Sequence, residues 1–340
     1  MARIALDAMG GDYAPGATVR GALLALSELD GDHRIQLVGQ TSTIEREIDA
    51  LLRGELAGLS PQRERLDIID APDVIGMADK PVAAVRAKPN SSMVAGIRLQ
   101  ADGASDAFVS AGNTGAQMAA SMMLLKLHPG LDRPAIATIF PTARRPVVVL
   151  DSGANVDCST RELVQFARLG ASYAEDVLGR ADPVVGLLNI GEEAEKGNTV
   201  VKDAHRLLQS AGLRFHGNVE GRDVAAGESD RGPFDVVVCD GFVGNIVLKF
   251  YEAIAPMIVQ RVAATLGAGD GEMEDALKGL DYTESGGAPL LGVRGVSIIS
   301  HGKSSPRALK NAIRVAARAA DSRLNEDIGH RLAEPVPEVS

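Results

Sequence analysis

The sequence predicts an α/β protein built as a three-layer, doubly wound, mostly parallel sheet with helices on both faces. Three observations carry this. Short runs rich in Val and Ile recur from Ile4 to Ile299, most of them separated by Ala- and Leu-rich helical stretches; such strand–helix alternation builds parallel sheets. The runs are continuously apolar rather than alternating, as strands are when both faces of the sheet are covered. Several runs end abruptly in Gly, Asn and Asp, and in open α/β sheets ligands bind just outside the carboxyl ends of the strands.

Taken in order, Ile4–Leu6 ends in Asp7-Ala-Met-Gly-Gly-Asp12. There Gly10 and Gly11 let backbone amides approach an anion, unless the segment is a tight turn whose Asp7 caps a neighbouring helix. A helix over Ala17–Leu29 and strands at Ile35–Val38 and Leu66–Ile69 follow. Arg86-Ala-Lys88-Pro-Asn-Ser91-Ser92 sets two cations and two hydroxyls just ahead of a helix over Met93–Ala101. That suits an anion such as phosphate; a solvated loop with Ser91 or Ser92 as the cap is the plainer reading. Ala107–Val109 leads into Ser110-Ala-Gly-Asn113-Thr114-Gly115 before a helix over Ala116–Leu127, and Asn113 and Thr114 read equally as ligands or as helix caps.

Ile136–Phe140 and Val147–Leu150 are joined only by Pro141-Thr-Ala-Arg-Arg-Pro146. That is too short for a crossover helix, so the two strands are predicted to be antiparallel neighbours. The polar junction recurs at Asp151-Ser-Gly-Ala-Asn155, with Asp157 close behind, before a helix over Thr160–Leu178. Val184–Leu188 then breaks into Asn189-Ile-Gly-Glu-Glu-Ala-Glu-Lys196-Gly-Asn198, ahead of a helix around Lys202–Ala211. Lys196, in this Gly-bounded junction, is placed to meet a phosphate or a developing oxyanion; an exposed lysine paired with Glu192 or Glu193 is the alternative.

Strands at Leu213–Phe215 and Val236–Val238 precede Asp240-Gly-Phe-Val-Gly-Asn245. Asn245 opens the longest helical pattern, Ile246–Leu266, either as an oxyanion donor or as a cap. Ile246, Phe250, Ile254, Ile258 and Val262 follow i+4 spacing along it. Glycines at 267, 269 and 271 end it and a second helix, Glu272–Leu280, is predicted to return. The resulting hairpin, about 246–285, either packs into the core or protrudes. His301 follows the strand Val296–Ile299; a strand-end histidine donates to phosphate or moves a proton, although a lone histidine is often structural. Gly302-Lys303-Ser304 mimics the end of a nucleotide P-loop, but six residues separate Gly295 from Gly302 where the motif needs about four, which excludes it. Residues 1–330 are predicted to form one catalytic domain and 331–340 a disordered tail.

Composition narrows the function classes. Of the 340 residues 45% are hydrophobic, which is ordinary for a globular protein. The formal charge of −10, from 35 basic and 45 acidic residues, argues against nucleic acid, which needs a concentrated basic footprint. Cys158 and Cys239 stand too far apart for a zinc motif or a disulfide framework, and Cys239 is predicted to be a core residue. No His, Cys or carboxylate cluster has ligand spacing, so neither metal nor cofactor is expected. The N-terminal apolar run is interrupted at Asp7 and no uncharged run approaches the roughly 18 to 20 residues of a bilayer span. A cytoplasmic protein, not an integral membrane one, is expected.

Leu6-Asp-Ala-Met-Gly-Gly-Asp12, Asn218-Val-Glu-Gly-Arg222 and Gly286-Gly-Ala-Pro-Leu-Leu-Gly292, in this order, resemble the phosphate acyltransferases of bacterial phospholipid synthesis. The resemblance runs from Arg3 to about Ala320. It implies a fold like that of the isocitrate and isopropylmalate dehydrogenases or the phosphotransacetylases. It also implies transfer of a fatty acyl group from acyl-acyl carrier protein to inorganic phosphate, by direct attack and without a covalent acyl-enzyme. A homodimer is implied, together with reversible contact of the helical hairpin with the inner face of the cell membrane. A downstream glycerol-3-phosphate acyltransferase would be the next partner.

Such chemistry makes modest demands. A thioester is already activated and phosphate is its own nucleophile, so two reactants must be positioned and an oxyanion stabilised. No Gly-x-Ser-x-Gly nucleophile elbow is present. Lys196, Asn245 and His301 are the catalytic candidates. Asp7, Gly10, Gly11, Arg86, Ser91, Ser92, Asn113, Thr114, Asp151 and Asn155 are the candidates for holding phosphate or substrate, a phosphopantetheine arm included. An acidic carrier needs a local basic patch, for which the helical face of Arg307, Lys310, Arg314 and Arg318 is a candidate.

Three rivals stay open: a coenzyme A-dependent phosphate acyltransferase, an NAD-dependent dehydrogenase on a related fold, and a non-catalytic phosphate or lipid sensor. The dehydrogenase is weakened by the missing G-x-G-x-x-G after the first strand.

Overall fold

The computed structural model describes residues 2–266 and 286–334. It resolves two compact units, Met1–Leu127 with Gly286–Asn325 and His128–Ser285 with Glu326–Ser340, where the sequence pointed to one domain over 1–330. Strand–helix alternation is the same whether successive strands join one sheet or two, so the division leaves no local mark in the chain.

In the first unit the strands β1 (Arg3–Asp7), β2 (Arg34–Gly39), β3 (Leu66–Asp70), β4 (Ala107–Ser110), β13 (Ala288–Leu291) and β14 (Val296–Ile299) lie in the order β3-β2-β1-β4-β14-β13. All pair in parallel except β13 with β14. The chain winds outward from β1 to β3, then returns to place β4 on the other side of β1, which makes the β1/β4 edge a switch point of the kind that hosts ligands. The helices are α1 (Gly16–Glu28), α2 (Thr41–Arg53), α3 (Pro81–Ala87), α4 (Ser92–Ala101), α5 (Thr114–Leu124) and α10 (Pro306–Asp321). Strands β1 and β4 are almost wholly buried, as their unbroken apolar runs require. Strand β13 escaped the sequence reading because Pro289 sits inside a four-residue run, and proline normally argues against a strand interior.

The second unit holds β5 (Ala135–Ile136), β6 (Thr138–Phe140), β7 (Val147–Leu150), β8 (Val184–Leu188), β9 (Arg214–Val219) and β12 (Val236–Val238), of which five form a sheet ordered β6-β7-β12-β8-β9. The short β10 (Glu228–Ser229) and β11 (Gly232–Pro233) pair with each other. β6 and β7 are antiparallel, as their short connection demanded. β12 enters between β7 and β8 and is parallel to both. The helices are α6 (Thr160–Asp176), α7 (Thr199–Leu208), α8 (Gly221–Ala226) and α9 (Gly241–Leu266). Helix α6 starts with a reciprocal capping box between Ser159 and Glu162, and Leu163 to Ala174 are all buried.

Helix α9 begins at Gly241, before the predicted Ile246, so Asn245 lies within its first turns. One face of it, Val247, Leu248 and Tyr251, packs on the core around Phe140 and Cys239. The other face, Phe242, Ile246, Phe250, Ile258 and Val262, is exposed. Only 11% of Gly241–Ile258 is buried, and by length and composition alone this helix could cross a membrane. The predicted return helix, Glu272–Leu280, lies outside the described residues.

Of the tail predicted to be disordered, residues 331–333 belong to helix α11 (Leu324–Ala333), and 335–340 lie outside the described residues. The segment is tied to α6: Arg331 pairs with Glu175, and Arg168 donates to the Glu334 carbonyl at 2.6 Å. Desolvation, with the hydrogen-bonded Asp327 carboxyl beside it, pushes Asp176 up to about 6. A carboxyl raised in the folded state stabilises below its unfolded value of 3.8, and that contribution fades as pH rises toward about 6. Asp176→Asn is therefore expected to raise the melting temperature by about 1–3 °C at pH 7.5 and hardly at pH 4; thermal melts at the two pH values check it.

Candidate active site at the strand ends

In the first unit, Asp7 ends β1 and is only 2% exposed. Ser110 Oγ, at the end of β4, donates to its Oδ2 at 2.7 Å, and Met9 N–H donates to Oδ1 at 3.2 Å. Burial pushes this carboxyl above its usual range, against the opposing pull of Ser92, Ser110, Met9 and Gly10. Gly10 is required here: a Cβ would stand 2.5 Å from Asp7 Oδ2 and 2.9 Å from Ser110 Oγ. Gly11, at φ 106°, turns the chain so that Asp12 N–H donates to the Gly302 carbonyl at 2.7 Å. The β1 junction and the His301 loop are thereby joined. His301 is exposed, with Nδ1 accepting from Lys303 N–H at 3.1 Å.

The other polar residues of this unit divide into two sets. Ser91 Oγ caps α4 through Val94 N–H, and Ser92 bonds to Asp7. Asn113 Oδ1 caps α5 through Ala116 N–H at 3.0 Å, while its Nδ2 reaches the carbonyls of Gly76, Met77 and Asp79. Thr114, the first residue of α5, and Arg86 are instead exposed, and neither side chain has a hydrogen-bond or ion-pair partner among the described residues.

In the second unit, Asp151 directly follows β7 and is fully buried. Its Oδ1 accepts from the backbone of Ile136, Gly153 and Ala154, and its Oδ2 from Asn155 N–H at 2.6 Å and Asn155 Nδ2 at 2.9 Å. Burial nevertheless holds this carboxyl above its usual range. Five donors converge on two oxygens, a load that suits an ionised carboxylate. Asn155 also donates to the Pro134 carbonyl at 2.8 Å.

Against this loop lies the first turn of α9. Gly241 N–H donates to the Asn155 carbonyl at 2.8 Å. A Cβ on Gly241 would stand 2.5 Å from that carbonyl, and one on Gly244 would land on the Asp151 carbonyl oxygen. The two glycines of Asp240-Gly-Phe-Val-Gly-Asn245 thus let the helix end touch the loop. The contact brings Asn245 beside Gly153, whose ideal Cβ position is 3.4 Å from Asn245 Oδ1. The Asn245 side chain is exposed and makes no hydrogen bond among the described residues.

The loop after β8 presents Lys196. Asn189 Nδ2 donates to the Lys196 carbonyl at 3.0 Å, and Ile190 N–H to Asn189 Oδ1 at 2.8 Å. The lysine stem lies over Gly191, and its Nζ is 3.9 Å from Glu193 Oε1 with both side chains at least half exposed. Such a pair contributes little and leaves the ammonium open to an anion. Because β12 lies between β7 and β8, the loops bearing Asp151, Asn245 and Lys196 are neighbours along one rim of this sheet. A 26-residue helix starts there, adding the positive end of its dipole.

The structure divides the predicted ligands by what their side chains already hold. Asp7, Ser91, Ser92, Asn113, Asp151 and Asn155 all make side-chain hydrogen bonds to the protein itself. They shape the rims. Arg86, Thr114, Lys196, Asn245 and His301 face outward and remain able to meet a ligand. Of the predicted basic face, Lys310 and Arg314 share the single carboxylate of Glu28, which offsets one of its four positive charges. Ser110, Asn189, Asn218 and Gly244 were not singled out individually; their polar or glycine character at strand ends was the available signal. Among the described residues no group of His, Cys, Asp and Glu is arranged to hold a metal.

Residues 2–327 match the family described as "Fatty acid synthesis protein". A protein of Heliobacterium modesticaldum named phosphate acyltransferase is 51% identical over 324 residues, 92% of each chain. One of Desulforamulus reducens with the same name is 48% identical over 337 residues, 95% of each chain. Among solved structures, a phosphotransacetylase from Streptococcus pyogenes superposes with a TM-score of 0.62 at 19% identity, covering 94% of each chain; that likeness speaks for the fold.

Proposed function

The chain belongs to the fatty acid synthesis protein family and is a phosphate acyltransferase, and from that premise we propose that it moves a fatty acyl group from acyl-acyl carrier protein to inorganic phosphate. A phosphate oxygen attacks the thioester carbonyl, the C–O bond forms, and the carbonyl electrons move onto oxygen. The tetrahedral intermediate collapses, the C–S bond breaks, and the carrier's phosphopantetheine thiolate leaves, taking up through solvent the proton that the hydrogen phosphate gives up. The products are acyl phosphate and free carrier. No acyl-enzyme forms.

One observation carries this reading. Asn245, its side-chain amide unengaged at the amino end of α9, shares a sheet rim with the loop that presents Lys196. A neutral donor, a cation and a helix dipole at one rim are what an oxyanion needs. In the first unit Arg86, Thr114 and His301 are the open groups suited to a phosphate. The exposed stripe of α9 supports peripheral contact with the inner face of the cell membrane. The family resemblance adds a homodimer working in the cytoplasm beside a glycerol-3-phosphate acyltransferase that consumes the acyl phosphate.

The test combines purified protein, long-chain acyl carrier protein and inorganic phosphate, reading free thiol and trapping acyl phosphate with hydroxylamine. Thiol release should require phosphate, should form hydroxamate one for one, and should be unaffected by chelator. A coenzyme A thioester in place of the carrier should react at least about 10-fold more slowly per unit kcat/KM. Release that ignores phosphate would defeat the proposal.

A further inference from the structure

We infer that Asn218 and His205 are positioning residues, holding the loop that delivers Lys196. This rests on the proposed role of Lys196. Asn218, opposite Leu187 in the β8–β9 pairing, is 1% exposed. Its Nδ2 donates to the carbonyl of Glu193, in the middle of the loop, at 2.8 Å. A carbonyl only accepts, so Nδ2 is fixed on that side and Oδ1 must face His205 Nδ1, 2.9 Å away. That ring nitrogen therefore carries the proton, and His205 Nε2 becomes the acceptor for Gln209 Nε2 at 3.4 Å. Each group orients the next, from α7 into the loop. His205 is itself 6% exposed and meets the Phe215 ring edge-on at 5.1 Å between centroids.

The remaining anchors belong to the loop and its borders. Asn189 holds the Lys196 carbonyl and Ile190 N–H, and Asn198 caps α7 through Val201 N–H at 3.0 Å. Gly197, at φ 90°, lies so close to Asn189 that a Cβ would be 2.6 Å from its Oδ1. Arg222 reaches Glu192 at 3.8 Å from outside. Residues 193–196 are exposed, so little burial holds their backbone. Two buried side chains are committed to that task instead. Delivering one side chain to a reacting centre gives such pinning a purpose, because a displacement of about 1 Å costs about 10²-fold in rate. Asn218 and Arg222 also open and close the block Asn218-Val-Glu-Gly-Arg222, for which the acyl-transfer chemistry alone supplies no role.

Asn218→Asp tests this. It keeps the shape and the acceptor for His205 Nδ1–H but sets a carboxylate oxygen against the Glu193 carbonyl. Trypsin cleavage of native protein after Lys196 should accelerate about 10-fold or more, and phosphate-dependent turnover should fall about 30-fold. In a Lys196→Ala background the same change should cost less than about 3-fold, because there is no longer a side chain to misplace. Should Asn218→Asp fold poorly, His205→Ala should loosen the loop, and His205→Gln, which still donates to Asn218 Oδ1, should restore it. Unchanged cleavage overturns the inference, and so does a turnover loss that multiplies fully with that of Lys196→Ala. Failure of the wider reading looks different: wild-type protein would release no thiol on addition of phosphate, whatever the cleavage rates.

Discussion

Lys196→Ala lowers phosphate-dependent turnover by about 10²-fold or more and leaves the melting temperature within about 2 °C of the parent. The stability half follows from exposure: the side chain is 50% accessible and its one ion pair among the described residues is a 3.9 Å contact with Glu193. The turnover half follows from its place on the rim shared with Asn245. How the loss divides between constants reports the role. If Lys196 meets phosphate in the ground state, KM for phosphate rises; if it meets only the developing oxyanion, kcat falls and KM stays. Steady-state kinetics with phosphate varied decide between them. Turnover within about 3-fold of wild type would remove Lys196 from the mechanism.

Gly244→Ala attacks the same rim through the fold. The added methyl must occupy the position of the Asp151 carbonyl oxygen, and the two are backbone neighbours with no flexible side chain to yield. Helix α9 has to move away from the loop, at a cost of about 3 kcal/mol, so the melting temperature should drop by about 5–10 °C. Turnover should fall as well, because Asn245 travels with the helix. Asn245→Ala is the partner experiment: its side-chain amide has no hydrogen bond to lose among the described residues, so turnover should fall about 10²-fold with the melting temperature unchanged. A Gly244→Ala protein that melts within about 1 °C of wild type would show that the contact between α9 and the Asp151 loop is loose.

The strands were legible because their signal is local. Runs such as Val147–Leu150 and Val184–Leu188 are short, unbroken and apolar, and both are strands with those bounds. The antiparallel β6–β7 pair followed from a connection too short for anything else. The polar junctions were legible too, since Gly, Asn and Asp gather where strands leave the sheet. The roles of the individual polar residues were not. Asn113 reads the same in sequence as Asn245, yet the first is fully engaged with the 76–79 backbone and the α5 amino end and the second makes no hydrogen bond among the described residues.

By itself, then, the sequence determined the α/β class, the rims where ligands would gather, and through its longest blocks the family. The tertiary structure alone decided how the strands divide between two units, that β12 lies between β7 and β8, and which polar groups remain available. The physical reason is distance along the chain. Asp7 meets Ser110 103 residues on, and Asp151 meets Gly241 and Gly244 about ninety residues on. A side chain's freedom depends on partners that no local pattern can name.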